Sequence, residues 1–262
     1  MAESSTEARH PASEGFHTLA GQEALAVLLD AQVAALDALR PTIPALERVA
    51  DAAAASLRAG GKLGYAGAGS SGLMALADCL ELAGTFGIAP ERTPMMLAGG
   101  TQSLLRLTGS VEDDPALALA DLDRSGLGAG DTLLCLSASG RTPYALAMAE
   151  AARARGVTVA GFANVAGSAL LTLADIPVLV ATGPEVISGS TRMGAATAQK
   201  VALNMVSVLA AMRLGHVHDG YMVNLVADNI KLIDRAARIV AAIAGVSRDE
   251  AVAALARTDG AV

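Results

Sequence analysis

Residues 64–72 read GYAGAGSSG, and the last six fit the spacing G-x-G-x-x-G. A short apolar run enters these glycines and a helical pattern leaves them, so the stretch reads as strand, tight turn and helix start. A dinucleotide-binding loop also needs an acidic residue closing the second strand, about 20 positions on, to take a ribose hydroxyl. The second strand candidate, 93–97, ends in Ala98-Gly99-Gly100, and Glu91 precedes it. Ser70 and Ser71 stand where such loops carry apolar or neutral spacers. The glycines therefore serve something other than a dinucleotide.

Two later turns show what. DTLLCLSASGRTP (131–143) runs a strand into Ser137, Ser139, Gly140 and Thr142, just ahead of a helix. GPEVISGSTRMG (183–194) puts Ser188, Ser190 and Thr191 ahead of another. A helix start offers unpaired N–H groups and partial positive charge, and hydroxyls add uncharged donors. One such turn is most simply a serine cap. Three of them, brought together at the carboxyl ends of parallel strands, suit a phosphate monoester.

The surrounding chain fits that frame. Helical spacing covers 21–39 and 43–59, the latter stopped by Gly60-Gly61. Short apolar runs follow (KLGYAG, TPMML, DTLLCLSA, VTVAGFA, DIPVLVA), separated by helical segments at 71–83 and 143–155. Strands alternating with helices predict a parallel sheet covered on both faces. Beyond Ser190 the pattern is helical, at 192–214, 222–244 and 247–257. This divides the chain into a mobile polar start (1–18), N-terminal helices (19–59), a central domain (60–215) and C-terminal helices (216–262). The last segment stops abruptly, as a helical subdomain cut short would.

Composition narrows the function. The 262 residues are 53% hydrophobic but only 2% aromatic, so aliphatic side chains and alanine build the core. The formal charge of −7 argues against nucleic acid as main partner. No uninterrupted apolar run is long enough to span a bilayer, and the N-terminus lacks the order of a secretory signal. Cys79 and Cys135 are too few for a disulfide framework and fit a reducing cytosol. His216-Val217-His218-Asp219 reads better as a polar loop than as a metal site.

In order along the chain, GAGSSG, TFG, EDD, SASGRTPY, GPEVISGSTRMG, ATAQKVALNM and RLGHVHDGYMVNLVADNIKL resemble the N-acetylmuramic acid 6-phosphate etherases, a branch of the sugar isomerase (SIS) fold. The likeness spans about residues 45–245. It implies a three-layer αβα fold with a parallel sheet plus N- and C-terminal helices, and a cytoplasmic homodimer with sites near the subunit interface. It also implies lyase chemistry without metal or organic cofactor: the D-lactyl ether of the phosphorylated amino sugar is removed, leaving N-acetylglucosamine 6-phosphate and D-lactate during cell-wall recycling. The family's two glutamates fall on Glu81, ahead of TFG, and Glu112, in EDD. The chain departs from the family pattern at Leu73 (usually Arg), at Leu82-Ala83-Gly84 (usually Cys-Pro-Pro) and at Gly194 (usually Lys).

By that resemblance Glu81 and Glu112 are the acid and base, in an order the sequence leaves open. The phosphate donors are Ser70, Ser71, Ser137, Ser139 and Thr142, followed by Ser190 and Thr191; Glu185 contacts the sugar or its amide. Plain structural roles compete: Glu81 as an ion-pair partner on a partly buried helix, Glu112 in a solvated turn, Asp113 or Asp114 as a helix cap, Glu185 in a packing-site hydrogen bond. Arg141 and Arg192 add charge to the site or form surface ion pairs. Two other functions share the fold: aldose–ketose isomerisation, and sugar-phosphate sensing without catalysis.

Overall fold

The computed structural model describes residues 6–225, 230–258 and 260–262. Two helices lead: α1 (Gly21–Asp37) and α2 (Ile43–Arg58), whose first turn holds Pro44, where a missing N–H costs nothing. There follow β1 (Leu63–Gly67), α3 (Gly69–Phe86), β2 (Met95–Leu97), α4 (Gln102–Leu105), α5 (Pro115–Ser125), β3 (Thr132–Leu136), α6 (Pro143–Ala154), β4 (Thr158–Ala163), α7 (Ala169–Leu173) and β5 (Ile176–Leu179). The chain then forms α8 (Gly194–Leu214), a hairpin of β6 (Val217–His218) and β7 (Tyr221–Met222), α9 (Ile230–Ala244) and α10 (Arg248–Arg257).

β1 to β5 form one parallel sheet in the order β2-β1-β3-β4-β5. Successive strand residues face opposite sides, so an unbroken apolar run feeds two cores. Tyr65, Leu134, Leu136 and Phe162 face the side covered by α2, α3 and α8. Ala66, Leu133, Cys135 and Val159 face α5, α6 and α7. α8 is long and apolar enough to cross a bilayer, but 56% of its most apolar stretch is buried, and it lies against α1, α2 and α3 as a core helix.

The strand order also creates the crevice. The chain leaves β1 toward β2 on one side, and β3 lies on the other. The loops after β1 and β3 therefore diverge at the carboxyl ends of adjacent strands, where open α/β sheets bind ligands.

Three expectations need comment. The helix expected at 222–244 is shorter. Asp219 (φ 48°) and Gly220 (φ 78°) make a left-handed turn that closes β6 on β7, and α9 starts at Ile230. Of the segment expected to be mobile, residues 6–18 hold short 3-10 turns and contacts described below. Within the family-like stretch RLGHVHDGYMVNLVADNIKL, Asn229 and the side chain of Lys231 lie outside the described residues.

Candidate active site

The three glycines of the first loop do separate jobs. A Cβ on Gly67 would stand 3.0 Å from the Gly72 backbone, and one on Gly72 2.5 Å from Leu97 Cδ1, so these two let α3 sit close on the sheet. Gly69, at φ 53°, opens α3 and lies beneath Glu112: a Cβ there would be 2.5 Å from Glu112 Oε1. The glycine pattern thus makes room for strand, helix and a carboxylate.

After β3 the chain forms a hydroxyl knot. Ser137 Oγ accepts from Gly140 N–H at 3.0 Å and shares a hydrogen bond with Thr142 Oγ1 at 2.8 Å. Ser139 Oγ accepts from Arg141 N–H at 3.2 Å and shares a longer hydrogen bond with Ser137 Oγ at 3.4 Å. Gly140, at φ 63°, passes so close to Ser168 that a side chain would collide with it. Thr142 and Pro143 then start α6.

Glu112 reaches this knot through its backbone. Its carbonyl accepts from Tyr144 N–H at 3.0 Å, in the first turn of α6, and Asp114 caps α5 by accepting from Ala116 and Leu117 N–H. Burial, then the negative charge of Asp113, raises the Glu112 carboxyl above its ordinary value.

These residues line one cleft of about 290 Å³: Ser70 and Ser71 from α3, Ser137, Ser139 and Thr142 from the β3 loop, Thr191 ahead of α8, and Glu112. Among the described residues, no side-chain hydrogen bond occupies the hydroxyls of Ser70, Ser71 or Thr191. Thr6 and Glu7 complete the lining. The polar N-terminal segment has no periodicity, and nothing in the sequence pattern signals this placement.

The other expected site residues lie elsewhere. Ser190 does not line the cleft; its N–H closes a turn onto Ile187 O at 2.9 Å. Glu185 is 5% exposed, and its two carboxylate oxygens accept from Gly194 N–H (3.0 Å) and Ala195 N–H (2.9 Å) at the start of α8. Arg141 and Arg192 are exposed and, among the described residues, form no ion pair. Glu81 is eleven positions beyond Ser70 on α3, roughly 16 Å along the axis. It is exposed at a second cleft, between α3 and α8, with Asp78, Lys200, Asn204 and Ser207. There the buried Asp78 carboxylate accepts from Tyr65 OH (2.8 Å), Asn204 Nδ2 (2.7 Å) and Ser207 Oγ (3.0 Å). In one chain, then, the two glutamates face different clefts.

A family model described as the SIS domain matches residues 30–164. The chain is 42% identical over 257 residues to the N-acetylmuramic acid 6-phosphate etherase of Deinococcus radiodurans, covering 98% of this chain and 84% of that one. It is 39% identical to the etherase of Rubrobacter xylanophilus, covering 97% and 85%. The chain belongs to the N-acetylmuramic acid 6-phosphate etherase family.

Solved structures share the fold of this etherase-family chain at low identity. A putative phosphosugar isomerase from Bacteroides fragilis superposes with a TM-score of 0.60 at 21% identity, covering 77% of this chain and 95% of that one. A putative sugar-phosphate isomerase from Listeria monocytogenes gives 0.58 at 18%, covering 76% and 94%. The three-layer expectation holds: this is an α/β SIS fold with a parallel sheet between helical layers. Gly194 is packed between Ala35 Cβ and the Glu185 carboxylate, each about 3 Å from where a Cβ on the glycine would be.

Proposed function

We propose that this chain cleaves the D-lactyl ether of N-acetylmuramic acid 6-phosphate to give N-acetylglucosamine 6-phosphate and D-lactate. The observation that carries the proposal is the single cleft joining unoccupied hydroxyls at a helix start to a carboxyl group with a raised pKa. The 6-phosphate is seated by α3, Ser70, Ser71, Ser139 and Thr191, with Ser137 and Thr142 shaping the turn.

Direct displacement at C3 of an unactivated ether is slow. In the open-chain aldehyde, however, the C2 proton is acidic, because the carbanion delocalises onto the carbonyl. We assign Glu112 to take that proton as the base and Glu81 to donate one to the C3 oxygen as lactate leaves. Water then adds at C3 of the unsaturated aldehyde and a proton returns to C2. The sum is one water consumed for one ether broken.

Both glutamates serve one site only if a second copy supplies Glu81. We place the enzyme as a homodimer with composite sites. Exposed apolar side chains support this: Leu25, Leu29 and Val33 repeat every fourth residue on α1, Leu80 adjoins Glu81, and Val208 and Met212 follow on α8. Two buried free cysteines fit a cytoplasmic enzyme of peptidoglycan recycling.

The test is direct. Purified protein incubated with N-acetylmuramic acid 6-phosphate should release D-lactate in step with N-acetylglucosamine 6-phosphate. Sugar rearrangement without lactate would mean isomerisation, and tight binding without turnover a sensor.

A further inference from the structure

The N-terminal segment borders the cleft and is tied down beside it. Ser188 Oγ donates to the Glu7 carbonyl at 2.9 Å, and Ser13 Oγ to the Val186 carbonyl at 2.7 Å. Both bonds fix the segment to the loop that precedes α8. Thr6 is 1% exposed, and Thr6 and Glu7 line the same cleft as Ser70, Ser139 and Glu112. The Glu7 side chain lies along Gly189, where a Cβ would stand 2.9 Å from Glu7 Oε2. Among the described residues the Glu7 carboxylate takes part in no hydrogen bond or ion pair.

Glu7 is exposed where it lines the cleft, so its free acceptor positions are open to water and to the donors of a ligand that displaces it. It cannot stand against a phosphate dianion, because like charges in contact repel strongly in a partly desolvated site. The phosphate end is already defined by the hydroxyls and the α3 start. Glu7 therefore borders the uncharged part of the ligand, whose hydroxyl and amide groups are donors.

We infer that Glu7 is a substrate-binding residue: its carboxylate accepts hydrogen bonds from hydroxyl or amide N–H groups of the amino sugar, and the Ser188 tie holds it there. The inference rests on the sugar-phosphate reading of the cleft. Glu7 moves no proton in the reaction; it selects the sugar that the phosphate site alone would not distinguish.

The experiment uses the full chain carrying Glu7→Ala or Glu7→Gln. D-lactate release from N-acetylmuramic acid 6-phosphate gives KM and kcat; calorimetry gives binding of N-acetylglucosamine 6-phosphate and of inorganic phosphate. Glu7→Ala should raise KM and weaken the sugar ester about tenfold, the value of a hydrogen bond to a charged acceptor, with phosphate binding within about twofold of wild type. Glu7→Gln keeps one acceptor oxygen and should lose about threefold. Unchanged sugar-ester binding, or equal weakening of ester and inorganic phosphate, overturns the inference. Should the wild-type chain bind the ester but release no lactate, the lyase reading fails while the calorimetric comparison still decides Glu7.

Discussion

Glu112 Oε1 lies over Gly69, so near that a methyl group on that glycine would sit 2.5 Å from it. The carboxylate and the first residue of α3 are thus fitted to each other across 43 positions of chain. Gly69→Ala adds that methyl and also forces an L-residue into φ 53°. The backbone cost is ~1–2 kcal/mol. The displaced carboxylate should lower D-lactate release at least about tenfold. Gly100→Ala is the control: its φ is 59°, but no atom lies within 4 Å of the added Cβ. Urea denaturation should show similar stability losses for both, with activity lost only in Gly69→Ala. Equal activity in the two variants would refute the fit.

The raised Glu112 carboxyl sets the pH dependence. As a base it works only when ionised, so the acid limb of kcat/KM should lie above that of an ordinary glutamate. Burial is the larger cause and Asp113 the second, so Asp113→Asn should shift the limb toward lower pH without removing the elevation. The stability sign is opposite to the usual carboxylate case. A carboxyl whose folded pKa is raised contributes stability below its unfolded value and loses it as pH rises through the folded one. Glu112→Gln should therefore be inactive yet gain stability relative to wild type when the pH goes from acid to neutral. A pH–rate profile in which Asp113→Asn moves the limb upward would contradict this account.

Glu185 tests the difference between a site residue and a helix anchor. Its two oxygens hold the Gly194 and Ala195 N–H groups in a buried setting. Glu185→Ala leaves both donors unpaired, for a loss of ~2 kcal/mol or more. KM should stay within about twofold, because the carboxylate does not line the cleft. A variant with wild-type melting temperature and a much higher KM would restore the substrate role.

These cases show which parts of the molecule the sequence made readable. Glycine punctuation and apolar runs located all five strands of the main sheet: β1 and β3 are buried on both faces, and even the edge strand β5, with Pro177 exposed, keeps a short apolar run. The serine turns were readable as helix starts because capping is local chemistry. The β6–β7 hairpin was not, being two residues per strand and carried by Asp219-Gly220 alone. The convergence of the serine turns was readable from the alternation of strands and helices, but individual long-range bonds were not. Glu7 is fixed by Ser188, 181 positions away, and Glu112 by Tyr144 N–H, and no periodicity encodes either bond. Glu185, an acidic residue beside a serine-rich motif, holds the start of α8 with both carboxylate oxygens, a use that its neighbours in sequence do not announce.

The separation of the glutamates yields the most exacting prediction. Glu81→Gln alone should cut D-lactate release more than about a hundredfold while ester binding stays within about twofold, as expected of a proton donor that acts at the leaving oxygen. Glu112→Gln should be similarly inactive. If each site takes Glu81 from one subunit and Glu112 from the other, a dimer pairing the two variants holds one fully wild-type site and one doubly substituted site. Mixing the inactive proteins under conditions that allow subunits to exchange should then recover about a quarter of wild-type activity, since half the dimers are mixed and half their sites are intact. Activity should rise at the rate of subunit exchange and disappear if exchange is blocked by cross-linking beforehand. Were both glutamates to act within one chain, every site in every mixture would lack one of them, and no activity would return however long the proteins were mixed.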